Sequence, residues 1–429
     1  MTRQMKTSGV EWIGEIPEKW NAKKFKYIFS IIGGNGFPEN LQGNCNGDYP
    51  FFKCSDINGT EREVLLAKNF VNSNIVDKYK FNIIPSDSIL MAKIGEALKK
   101  NHRKINKKPC IVDNNMQALV FKSYECLMYY HYLSTILDMM WFDNGGTIPS
   151  VNNVKLKNFL LPNPPLSEQK TIADYLDAKC AKIDTFIAKQ KTVIEKLKEY
   201  KQSVITEAVT KGLNPVVPMK TSGVEWIGDI PEKWKTGKLR HLARLKTGNT
   251  PSKENGDLYY EGGIFLWIKP EDLNAFSPVL KTKEKLNELG LEFARNVPPY
   301  TPLVCCIGSI GKYGVSDQIA CFNQQINAVI FNEVFIDKKY GLYYISSQKE
   351  QHWFYANGNV VKILNTDGQG NIVFPIPPLS EQKEIADYLD AKCAKIDAFI
   401  AKKQTVIEKM TEYKKSLIYE CVTGKREIV

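Results

Sequence analysis

The stretch PPLSEQKTIADYLDAKCAKIDTFIAK begins at Pro164, and PPLSEQKEIADYLDAKCAKIDAFIAK begins at Pro377, 213 residues further on. Between Leu166–Tyr200 and Leu379–Tyr413, 29 of 35 positions are identical, and KTSGVEWIGEIPEKW from Lys6 returns as KTSGVEWIGDIPEKW from Lys220 with one change. A repeat on this scale duplicates whole folding units, so each half needs its own core, and whatever one copy packs against must have a counterpart in the other. Each half runs short lead-in, long middle, long helical segment.

The helical segment is legible residue by residue. Pro164 and Pro165 end what precedes them, Ser167 is a good N-cap, and Glu168 falls in the first turn, where the helix dipole favours it. No Gly or Pro follows until Gly212. At ~1.5 Å per residue the helix would span about 66 Å, a length that needs a partner. On a heptad one seam takes Leu176, Ile183, Gln190, Leu197 and Val204, and the other takes Cys180, Ile187, Ile194, Lys201 and Ala208. The second copy gives Leu389, Ile396, Lys403, Met410 and Leu417, with Cys393, Ile400, Ile407, Lys414 and Cys421. Two such helices pack most simply on each other, antiparallel if a pseudo-two-fold axis relates the halves. The alternative is that each lies along its own globular domain.

The middles correspond only sparsely. FFKCSDI (Phe51–Ile57) faces LWIKPEDL (Leu266–Leu273), ILMAKIG (Ile89–Gly95) faces PLVCCIG (Pro302–Gly308), and DNNMQALVF (Asp113–Phe121) faces NQQINAVIF (Asn323–Phe331). Runs rich in β-branched and aromatic residues between Gly, Pro and Asn turns read as short strands, so the middles are one α/β fold carrying two surfaces. The expected segments are a lead-in at 1–24, a first domain at 25–160, a long helix at 161–212, a second lead-in at 213–237, a second domain at 238–374, and a second helix with a tail at 375–429.

Composition narrows the chemistry. The balance of 58 Lys+Arg against 47 Asp+Glu, a net charge of +11, is compatible with nucleic acid without establishing it. No apolar run approaches a membrane span and the N-terminus lacks a signal core, which points to a cytoplasmic chain with no membrane partner. The ten cysteines have no regular framework; Cys180 and Cys393 read as small buried hydrophobes, and Cys305 and Cys306, adjacent on a strand, should face opposite ways. Four scattered histidines and no C-x-x-C predict no metal site.

KKNHRKINKK (Lys99–Lys108) suits phosphate contacts through Lys99, Lys100, His102, Arg103 and Lys104; the alternative is a solvated loop face. Asn114, Asn115 and Gln117 in one half, and Asn323, Gln324, Gln325 and Asn327 in the other, are candidate base readers, because carboxamides bond adenine edges in pairs. The alternative is that they satisfy buried backbone groups. Lys93, Lys269, Lys312 and Tyr313 are further candidates.

The paired PPLSEQ helix openings at Pro165 and Pro378, the EWIGEIPEKW and EWIGDIPEKW lead-ins, and TGNTPS (Thr247–Ser252) resemble the DNA-specificity subunit of type I restriction-modification systems over essentially the whole chain. The first half carries GGNGFPEN from Gly33 where the second has TGNTPS. The resemblance implies two similar α/β (α+β) target-recognition domains separated by two long antiparallel helices forming a coiled coil, with an internal pseudo-two-fold tandem repeat. It further implies that each domain reads half of a split site in double-stranded DNA. The helices would set the spacing and dock two modification subunits through the seam residues above, with restriction/translocase subunits joining afterwards. S-adenosylmethionine, ATP and Mg would then sit on partner subunits, with no cofactor on this chain.

Nothing in the sequence carries chemistry of its own. NPPL (Asn163–Leu166) has Leu where a base-gripping loop needs an aromatic ring, and its counterpart IPPL lacks the Asn. GQGN (Gly368–Asn371) is too short for a methyl-donor loop. The rival readings are a coiled-coil scaffold for protein partners and a DNA-modifying enzyme with an unrecognised site.

Overall fold

The computed structural model describes residues 3–59, 61–64, 66–252 and 257–428. They form two compact units: residues 3–190 with 405–428, and residues 191–404. The long helices α1 (Leu166–Lys211) and α2 (Leu379–Val422) are each shared between the units. The expected segments, which kept each helix whole, therefore differ from the packing.

In the first unit the middle domain holds strands β1 (Phe29–Gly33), β2 (Tyr49–Phe52), β3 (Asn69–Val71), β4 (Ile89–Ala92), β5 (Lys104–Ile105), β6 (Ile111–Val112) and β7 (Met116–Phe121). They make an antiparallel sheet in the order β1-β7-β4-β5 and a smaller sheet β3-β2-β6, in which β2 and β6 run parallel. The second unit repeats this with β8 (Ala243–Thr247), β9 (Phe265–Ile268), β10 (Lys285–Leu286), β11 (Asn296–Val297), β12 (Leu303–Cys305), β13 (Tyr313–Gly314), β14 (Ala320–Phe322) and β15 (Ile326–Phe331). Its sheets are β8-β15-β12-β13 and β10-β9-β14-β11, again with one parallel pair, β9 with β14. The three matched runs of the sequence thus fall on equivalent strands. Even the register agrees, Met116 facing Ala92 as Ile326 faces Cys305.

The lead-in motifs explain themselves in packing. Trp20 and Trp234 are fully buried, and their indole N–H groups donate to Glu168 (2.7 Å) and Glu381 (3.0 Å), the acidic residues of the two PPLSEQ openings. The neighbouring glutamines are buried as well. Gln169 accepts from the Cys126 N–H and donates to Pro164 O, while Gln382 accepts from the Asp337 N–H and donates to Phe335 O. Glu thus holds the lead-in and Gln holds the domain. Ser167 is exposed and does not cap: α1 starts one residue earlier, at Leu166, and the Gln169 N–H bonds the Pro165 carbonyl.

Within the first unit the start of α1 packs against the end of α2: Ile172, Leu176, Cys180 and Ile183 share a core with Leu417, Ile418, Cys421 and Val422, and Asp184 pairs with Lys414 at 2.6 Å. Within the second, Val204, Ala208 and Val209 share a core with Ile385, Leu389 and Cys393, and Lys201 pairs with Asp397 at 2.7 Å. In both, residue numbers rise along one helix as they fall along the other, so the pairing is antiparallel. Ile194, Ile396 and Ile407 are buried, and Ile187, Leu197, Ile400 and Met410 are half-buried. Cys180 and Cys393 are buried free thiols; β12 ends at Cys305, so Cys306 lies just past the strand, and the two enter different hydrophobic clusters. Among the described residues no helix is long and apolar enough to cross a membrane.

Candidate nucleic-acid interface

In each domain the chain makes its last passage from the small sheet into the large one at a corner, between β6 and β7 and between β14 and β15. The corners are built alike. The Met116 N–H bonds Asp113 O (3.0 Å) and the Asn115 N–H bonds the Asp113 carboxylate (3.0 Å); in the second domain the Ile326 N–H bonds Asn323 O (3.1 Å) and the Gln325 N–H bonds the Asn323 side chain (3.1 Å). Short Asn and Asp side chains favour such turns because they bond the backbone two residues on.

The preceding loops pass directly beneath. Gly34 donates to Met116 O and Gly248 to Ile326 O, both at 3.0 Å. A Cβ on Gly34 would lie 1.8 Å from Asp113 O, and one on Gly248 would lie 2.2 Å from Phe322 O. Only glycine lets the backbones approach this closely. GGNGFPEN and TGNTPS thus share a glycine-asparagine step with one structural role, despite their different sequences.

A third loop completes the corner. The Lys53 N–H bonds Asp56 (2.8 Å), the Lys269 N–H bonds Asp272 (2.9 Å), and the residues just before them, Phe52 and Ile268, accept from Asp113 and Asn323. Lys53 is therefore the counterpart of Lys269. Sequence reasoning missed it, although the alignment of FFKCSDI with LWIKPEDL contained the signal. The Lys53 ammonium reaches Gln42 at 2.7 Å; that of Lys269 lies over the Trp267 ring and pairs with Glu284.

What each corner presents differs. The first exposes Asn114 and Asn115; the second exposes Gln324, which accepts from the Thr250 hydroxyl, beside a half-buried Gln325 that accepts from Asn323. Lys93 is half-buried, and its N–H bonds Asn115 O at 2.8 Å. An exposed carboxamide offers a donor and an acceptor side by side, the pattern that matches an adenine edge.

Several expected readers point inward. Gln117 and Asn327 are fully buried at equivalent places on β7 and β15: Gln117 accepts from Asn153 (3.1 Å), and Asn327 donates to Leu364 O (2.9 Å) and Gln369 (3.0 Å). Asn323 is buried as the corner's own turn residue. These three hold the fold, because a side chain already desolvated and bonded inside has nothing left to offer a base. Arg103 and Lys104 are likewise buried. Lys104 donates to Glu61 O, and Arg103 donates to His102 O and Asn101; burial lowers both pKa values, that of Arg103 to about 10. Lys312 bonds Pro270 O at 2.5 Å, and burial raises the pKa of Tyr313, whose ring packs on Phe276. Of the basic run, Lys99 and Lys100 are exposed and His102 half-buried.

The type I restriction modification DNA specificity domain matches this chain twice, over residues 17–196 and 231–409. The chain belongs to that family. Each match takes in one corner with its glycine, its lysine loop and its helix opening. Among relatives of the family, a chain described as the MjaX type I restriction enzyme specificity subunit of Methanocaldococcus jannaschii is 27% identical over 96% of this chain and 95% of its own. The EcoBI specificity subunit of Escherichia coli is 25% identical over 70% and 66%. A chain solved for the assembly and conformational transition of a type I R-M system shares the fold with a TM-score of 0.70, at 14% identity, over 96% of this chain and 99% of that one. Within the family this chain is a DNA sequence-specificity subunit, and the two corners are one place where its duplicated frame changes side chains.

Proposed function

We propose that each domain reads one half of a bipartite DNA site through its corner, the first with Asn114 and Asn115 and the second with Gln324 and Gln325. Lys53, Lys93, Lys99, Lys100 and Lys269 supply phosphate contacts that position without specifying. The observation behind this is the corner itself: hydrogen bonds and glycines are kept in both halves while the exposed tips are not. The chain then has no chemistry of its own. S-adenosylmethionine, ATP and Mg sit on partner subunits in the cytoplasm, and two modification subunits dock, one for each copy of the repeated helix surface. Native mass of the reconstituted methyltransferase tests the count: two modification subunits per chain are expected, and a one-to-one complex at saturating partner overturns it.

The helices act as the ruler between half-sites. Adding a heptad after Glu195 and another after Glu408 keeps both seams in phase and lengthens each helix by ~10 Å. The gap between half-sites should widen by up to about three base pairs, at ~3.4 Å of rise per pair, with both half-sequences retained. An active variant with unaltered spacing would refute the ruler.

A further inference from the structure

The two domains differ sharply at one further place. Tyr132 and Tyr343 occupy equivalent positions, each donating its hydroxyl to an aspartate of the nearby long helix, Asp177 or Asp390, at 2.7 Å. In the second unit the space beside Tyr343 is plugged by Phe276, 4.7 Å from it between ring centroids, and by Tyr313, 5.4 Å from Phe276. In the first unit the guanidinium of Arg62 lies over Tyr132 at 5.1 Å. Arg103 takes the position of Tyr313, since Leu90 pairs with Lys104 as Leu303 pairs with Gly314. Two arginines stand where the other half has two aromatic rings.

They line a cavity of about 1070 Å³ within the first unit, between the domain and the helix residues around Asp177–Asp184 and Thr411–Tyr419. That volume is at the upper end of small-ligand pockets, which run to ~1,000 Å³. Three of its cations are matched: Arg62 pairs with Asp177, Lys414 with Asp184 and Lys99 with Glu96. Lys100, His102, Arg103 and Lys415 also line it and have no carboxylate partner among the described residues. Arg103 is 5% exposed, His131 6%, and both carry a buried nitrogen with no hydrogen-bond partner, Nε of Arg103 and Nδ1 of His131. Asp138, which also lines the cavity, offsets part of the cost of burying the Arg103 guanidinium without reaching ion-pair distance, and an oxyanion in the cavity would relieve the rest. Burial first, then Lys104, Lys100 and Arg103, lower the pKa of His102, which marks the region as positive. Trp141, half-exposed at the same cavity, offers a flat apolar face. None of the corner tips lines it, although Lys99 and Lys100, assigned phosphate contacts above, do.

We infer that this cavity, present in the first unit and plugged in the second, binds the phosphate groups of a small polyphosphate ligand such as a nucleotide. Arg103 and Arg62 hold the oxyanions, Lys100 and Lys415 flank them, and Trp141 provides a surface for a base.

Isothermal titration of the full chain with inorganic triphosphate, with ATP, and with a duplex lacking any target site tests this. The wild type should bind triphosphate and ATP saturably at one site, ATP more tightly if Trp141 takes the base. The double variant R62F/R103Y, which installs the residues of the other half, should weaken both at least tenfold. Lys100→Ala with Lys415→Ala, confined to exposed side chains, should also weaken both, and this variant decides the matter if the arginine swap lowers the melting temperature. No saturable heat with either small ligand overturns the inference, as does undiminished binding by both variants. Binding of the duplex alone overturns it too, since the cavity would then serve backbone phosphates only.

Discussion

The two middle domains share sheets, register, corners and helix docking, and they differ where those elements face outward or into open space. Corner tips are Asn-Asn in one and Gln-Gln in the other; the space beside the domain tyrosine holds two arginines in one and two rings in the other; the second domain adds an edge strand, β11, where the first has only an isolated bridge between Ile84 and Cys110. Backbone hydrogen bonding and burial tolerate little change, because each unmet buried group costs free energy, whereas exposed tips and cavity walls change without touching the core. A duplicated frame can therefore carry two different surfaces.

The shared part should break symmetrically. Trp20→Ala and Trp234→Ala each remove a fully buried indole and its hydrogen bond to a glutamate, Glu168 keeping its ion pair with Arg3, and each should cost ~3–5 kcal/mol. Calorimetry of the full chain should show comparable losses, and a large loss in one with little in the other would mean the two openings are not equivalent. Next in size come Gly34→Ala and Gly248→Ala, which force a Cβ into backbone oxygen and should cost ~1–3 kcal/mol apiece. An unchanged melting temperature in either would show that the loop is not pinned under its corner.

The smallest effect sharpens the comparison. Asp113 sits where the second domain has Asn323, and burial raises its pKa above the ordinary carboxylate value. A carboxyl that holds its proton more tightly when folded favours the native state at low pH and loses that contribution as pH rises through its folded pKa. Asp113→Asn keeps the acceptor for the Asn115 N–H and removes the penalty. The variant should melt slightly higher than wild type at neutral pH and no higher at about pH 3. A lower melting temperature at neutral pH would show that the charge itself holds the turn.

Much of this was legible in the sequence. The repeat, the long helices and their seams follow from periodicity, and the strands from three matched runs. The inward or outward sense of polar residues was not. Asn115 and Gln117 are two apart, yet Asn115 ends an exposed turn while Gln117 is inside a strand buried on both faces, and residue type does not say where the turn stops. Arg103 and Lys104 read as phosphate-contacting members of a basic run because the cavity beside Arg103 and the Glu61 carbonyl that takes Lys104 come from distant parts of the chain. Lys53 was overlooked because its role is a backbone turn, visible only when Phe52 and Asp113 are seen to bond.

The central claim is that each corner reads one half-site. Methylation-motif sequencing of strains carrying wild type, Asn115→Ala or Gln324→Ala tests it directly. Each variant should relax one half of the motif, a different half for each, by the ~1–3 kcal/mol of discrimination that a lost bidentate base contact represents, and leave the other half and the gap unchanged. A motif unaltered by both variants, or relaxed in both halves by either one, would contradict the account.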